Sequence, residues 1–119
     1  MSGTVGVVLA GGLVVDVPEP GWCAGAHGGG LALEDLLHEG PEMHLEVATR
    51  YGPRRVLTAS VTQYPFASDA ARRAPVGSVD LGGEWFELDA AGLAGLADGL
   101  SGYARRLREL AGALPSAGV

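Results

Sequence analysis

Cys23, His27 and His38 are spaced C-x3-H-x10-H in a stretch rich in proline and glycine, running from Val17 to His44. A thiolate and two imidazoles are the donors that suit Zn²⁺, and a short first spacing lets neighbouring side chains clamp one ion. A fourth ligand is needed. Glu19, four residues before Cys23, is one candidate, and Glu42 and His44 downstream are the others. A plainer account also exists. A lone cysteine commonly packs as a small apolar side chain, and histidines beside glycines are often solvated loop residues. A thiol nucleophile served by His27 or His38 is a third option, but nothing in the sequence marks an oxyanion site or an activating environment for Cys23. Gly28-Gly29-Gly30 lacks the Lys-Ser/Thr of a phosphate loop and follows no strand, so it reads as hinge material.

Elements of regular structure must hold this stretch. Thr4–Val17 is valine-rich on both sides of Gly11-Gly12, a pair that supplies the positive φ of a two-residue hairpin turn, so strands are expected near 4–10 and 13–17. Pro18 and Pro20 are expected to stop the second strand. Leu31–His38 reads as a short helix, with Leu33, Leu36 and Leu37 on one side and Glu34 and Asp35 in its early turns. Met43–Arg50 and Arg55–Tyr64 alternate in the manner of a second hairpin, with a turn at Gly52-Pro53. Pro65–Pro75 is a loop with a helical turn that Ser68 could cap. Val76–Leu81 and Glu84–Leu88 form a third hairpin around Gly82-Gly83.

Asp89 is placed to start a long helix that Pro115 ends. Leu93, Leu96, Leu100, Tyr103, Leu107, Leu110 and Leu114 fall on one stripe at 3-4 spacing. Glycine precedes each of the first four, and each interior glycine costs about 1 kcal/mol relative to alanine. Close packing against a sheet is the expected compensation. The same spacing also fits a self-association seam between two copies. The fold expected is therefore α+β: an antiparallel sheet of five or six strands in three hairpins, with the helix packed on it, in one domain spanning 1–119.

Composition narrows the function. The net charge is −6, every basic residue is arginine, and the chain has no Lys, Asn or Ile. That balance disfavours a nucleic-acid binder, which needs a net basic face. One cysteine cannot form an internal disulfide, and no run is apolar enough for a membrane span or a signal sequence, so the expected setting is cytoplasmic. Trp22, Phe66, Arg72 and Arg73 are the candidate partner-binding residues. The two arginines beside Ser68-Asp69 could also receive a small anion, although a solvated loop is the simpler account.

The ordered set P-x-W-C-x3-H, L-E-D-L-x-H-x-G and P-F-A-S-D-x-x-x-R resembles a family of small actinobacterial proteins of unknown function, abundant in Streptomyces. The matching residues are Trp22, Cys23, His27, Leu33, Glu34, Asp35, Leu36, His38, Gly40, Pro65, Phe66, Ser68, Asp69 and Arg73. Many members carry a further cysteine where this chain has Glu19. The resemblance implies a bacterial cytoplasmic setting and no particular chemistry. The expected function is a non-catalytic binding or regulatory module, self-associating or docking a protein partner, with a structural zinc bound by Cys23, His27, His38 and Glu19. The alternative is a small metal-dependent enzyme using Cys23, His27 and His38.

Overall fold

The computed structural model describes residues 3–25 and 27–115. It is an α+β arrangement of seven antiparallel strands, two single-turn 3-10 helices and one long helix. The chain divides into two compact units, 1–89 and 90–119, which are taken in turn.

In the first unit β1 (Gly3–Val8) and β2 (Val14–Glu19) form a two-stranded sheet of their own. Gly11 and Gly12 have positive φ, +88° and +86°, but the turn is one residue longer than the expected two, because the Leu9 N–H donates to the Leu13 carbonyl at 2.7 Å and Val8 pairs with Val14. The register pairs Val5 with Val17 and Val7 with Val15. These valines share one face with Leu36 and Leu33, and Val7, Val17 and Leu36 are the buried cluster. Contrary to the sequence expectation, Pro18 does not end β2. It pairs with Thr4 in a two-stranded ribbon, where a proline whose missing N–H would face outward removes no ladder bond.

The remaining strands make a second sheet. β3 (His38–Glu39) and β4 (Met43–Thr49) lie in succession along one edge of β5 (Gly52–Gln63). β6 (Val76–Leu81) lies on the other edge of β5, and β7 (Glu84–Leu88) pairs with β6. Gly52-Pro53 begins β5 instead of forming the turn, since Thr49 pairs with Gly52 and Ala48 with Pro53. An extra residue in β5 shifts the register opposite Met43–Leu45, and Leu57 there takes φ +54°. That is a β-bulge, which bends the strand and breaks its simple alternation. Met43, Leu45, Val47, Val56, Val61 and Phe86 leave an exposed apolar face on this sheet.

The expected helix at 31–38 reduces to one 3-10 turn, α1 (Leu33–Asp35). The segment after it is extended, and Leu36, His38 and Gly40 are buried at every second position. A period of two, not 3.6, governs these residues because pairing with β5 satisfies their backbone. The other 3-10 turn, α2 (Ala70–Arg72), is capped by Asp69, whose carboxylate accepts from the Ala71 N–H at 3.0 Å. Ser68 does not cap it.

The second unit is α3 (Ala90–Ala113). None of its described residues is buried, and Tyr103, Leu107 and Leu110 on the apolar stripe are 47–59% exposed. A Cβ built on Gly95, Gly99 or Gly102 meets nothing within 4 Å, so contacts at those glycines do not explain them. No helix is long and apolar enough to cross a membrane among the described residues.

Candidate metal centre

Strand parity delivers the first ligand. Val15, Val17 and Glu19 alternate along β2, so Glu19 extends the inward row of the valine hairpin. A carboxylate in such a row must be paired or neutralised. The chain then turns at Pro20–Cys23, with the Cys23 N–H donating to the Pro20 carbonyl at 3.0 Å. The Ala24 N–H donates to the Glu39 carbonyl at 2.8 Å, which pins the loop to β3. The Gly25 N–H donates to Cys23 Sγ at 3.4 Å. His38 enters from β3, where it pairs with Gln63, and is 1% exposed.

The result is one cluster. A carboxylate oxygen of Glu19, Cys23 Sγ and one ring nitrogen from each of His27 and His38 all lie within 4.8 Å of one another. His27 Nε2 and Glu19 Oε1 are 2.5 Å apart, Cys23 Sγ and His27 Nε2 3.7 Å, and His38 Nδ1 and Glu19 Oε1 3.8 Å. Ligands around a tetrahedral Zn²⁺ sit about 3.2–3.8 Å apart, as bond lengths near 2.0–2.3 Å require. Two of the three separations already fall there, and the His27–Glu19 hydrogen bond would open slightly to admit an ion. His38 Nδ1 is buried without a hydrogen-bond partner. The same ring also hydrogen-bonds to the Pro18 backbone, which must be a carbonyl contact because proline has no N–H. Ligating histidines are commonly oriented by such a contact on the nitrogen that does not bind metal.

The fold biases the protonation of Glu19, Cys23 and His38. The Cys23 thiol and then His27, both hydrogen-bonding to Glu19, hold its carboxyl below the ordinary range. Burial first, and the Glu19 carboxylate second, push the Cys23 thiol up. Burial, followed by the neighbouring His27, pulls His38 down and favours the neutral imidazole a metal requires. Trp22 walls one side, edge-on to His38 at 6.3 Å, and the two imidazoles cross at 5.3 Å.

Of the three candidates for fourth ligand, Glu19 joins the group and the exposed Glu42 and His44 do not. The candidate partner residues divide. Phe66 is exposed and Trp22 half-buried. Arg73 donates to the carbonyls of Ala67 and Ser68, at 2.7 and 3.2 Å. The Arg72 guanidinium lies 4.3 Å over the Tyr64 ring and 3.5 Å from Glu87. Arg73 therefore organises its own loop, and Arg72 ties that loop to Tyr64 and to β7. Gly40, one of the residues carrying the family resemblance, shapes the site through its lack of a side chain. A Cβ there would come within 3.1 Å of the Trp22 carbonyl oxygen, so the close approach of the ligand loop to β3 depends on this glycine.

No curated protein matches the chain, and no solved structure does. Residues 4–116, a span that includes all four clustered side chains, match a domain of unknown function, DUF6907, and the chain belongs to that family.

Proposed function

We propose that this protein is a non-catalytic binding module of a bacterial cytoplasm, in which a structural zinc ion ties β2, the Pro20–Gly30 loop and β3 together. The reading rests on the convergence of Glu19, Cys23, His27 and His38, with the buried His38 Nδ1 left unpartnered beside the other three. Four protein ligands fill a tetrahedral shell, as structural zinc sites do, whereas a catalytic zinc keeps one position for water. The metal-dependent enzyme using Cys23, His27 and His38 would need Glu19 outside the shell. A single thiol in a metal site suits a reducing compartment. A partner protein is proposed to dock on the exposed Phe66 side of the loop, framed by Trp22, Arg72 and Arg73. Self-association is proposed to use the leucine stripe of α3.

Metal analysis of untagged protein tests the core of this reading, with about one zinc per chain expected. Cys23→Ser should weaken zinc binding by more than the roughly 10–100-fold that loss of an outer-shell partner costs. Protein that carries no stoichiometric metal, takes none up and folds unchanged as Cys23→Ser would refute the site.

A further inference from the structure

The cluster is not sealed on every side. Pro18, Glu19, Pro20, His38, Gln63, Pro65 and Phe66 line a cleft of about 390 Å³, within the size range of small-molecule sites. Two of the four proposed ligands thus face it, and they differ in access. The His38 side chain is 2% exposed and Glu19 19%. Glu19 is the corner of the shell that a solute can reach.

We propose that this cleft binds a small apolar monoanion, which replaces Glu19 as the fourth ligand of the metal. The inference rests on the zinc reading above. Prolines and Phe66 supply apolar walls for the body of such a molecule. Gln63 donates its amide N–H to the Arg73 carbonyl at 2.8 Å, leaving its carbonyl oxygen to accept from a donor on the ligand. Charge favours one negative group and no more. Zn²⁺ with one thiolate, one carboxylate and two neutral imidazoles is neutral overall. Exchange breaks the bond from Glu19 oxygen to metal and forms one from the incoming carboxylate, which arrives as its acid and passes its proton to the freed Glu19 carboxyl, so the site stays neutral and no electron moves. A dianion would leave net negative charge in a largely buried site, at a desolvation cost the cleft does not offset.

The test uses the full chain loaded with Co²⁺, whose visible absorption reports its ligands, and benzoate as the probe. Benzoate should change the spectrum saturably at roughly millimolar concentration, as befits so small a molecule. Acetate, lacking the apolar body, should bind several-fold more weakly. Phe66→Trp, which fills the cleft, should weaken benzoate binding at least several-fold without changing Co²⁺ affinity. Glu19→Gln, a poorer competitor for the metal, should tighten it. A spectrum unmoved by benzoate while Co²⁺ stays bound would overturn the proposal and leave the metal site standing. So would equal binding of benzoate and acetate, or removal of the metal by benzoate. Failure of Co²⁺ to bind at all would instead remove the metal reading, and the cleft proposal with it.

Discussion

At the scale of single residues, the cluster is a set of groups whose protonation the fold has biased. His38 is held below its ordinary value of 6.5, mainly by burial, and Glu19 below 4.5, mainly by the Cys23 and His27 hydrogen bonds. For both, the folded protein binds fewer protons than the unfolded chain. Their stability contribution is therefore present above the ordinary value and is lost as pH falls through the depressed one. Cys23 is raised above 9.0, mainly by burial, so its contribution is complete below that value and is lost as pH rises through the folded one. Metal-free protein should accordingly be most stable between pH 6.5 and 9.0, with thermal midpoints falling on both sides. His38→Gln should flatten the acid limb that begins near 6.5. Zinc should abolish the alkaline limb, because the thiolate is then a ligand. Thermal melts across pH, with and without zinc, measure each of these. Gly40→Ala belongs to the same scale. A methyl group 3.1 Å from the Trp22 carbonyl oxygen is an over-tight contact that the ligand loop must relieve by shifting a few tenths of an ångström. The variant should lose about 1–3 kcal/mol of stability, the usual overpacking cost. It should also bind zinc more weakly than the parent, as chelator competition would show.

At the scale of elements, period decided what was legible. The hairpins around Gly11-Gly12 and Gly82-Gly83 were readable because turn residues and flanking alternation agreed. The segment after Asp35 is extended despite three leucines at near-helical spacing, because pairing with β5 imposes the alternation of Leu36, His38 and Gly40. The glycines of α3 are the other lesson. Close packing is the expected compensation, and within the helical unit itself a Cβ on Gly95, Gly99 or Gly102 meets nothing within 4 Å. Gly95→Ala and Gly102→Ala should then each gain up to about 1 kcal/mol of helix stability. Circular dichroism and thermal melts would register that as added helicity and a higher midpoint. A loss on either substitution would mean that this face is closely covered in the working protein.

At the scale of the whole molecule, the buried apolar side chains among the described residues are few: Val7, Val17, Leu36, Ala67 and Val79. Three of these make the cluster beside the ligand-bearing strands. A core so thin leaves much for a cross-link to supply, which is how metals serve small domains. Zinc bound only by the folded state should raise stability by about 2.7 kcal/mol at a free concentration 100 times Kd. Chelation should therefore lower the melting midpoint clearly, and re-addition of zinc should restore it. Unchanged melts under chelation would indicate that the cluster contributes nothing to the fold.

Residue types and local spacing alone determined that Cys23, His27 and His38 could serve one ion, because short loops confine neighbouring donors. They also determined the hairpins and the long C-terminal helix, since turn chemistry and hydrophobic period are local properties. The choice of Glu19 over Glu42 and His44 was decided only by the tertiary structure. That choice followed from β2 running through Pro18, which keeps Glu19 in phase with Val15 and Val17 on the inward side. Strand pairing, a contact between distant parts of the chain, set that phase and carried His38 to the same point.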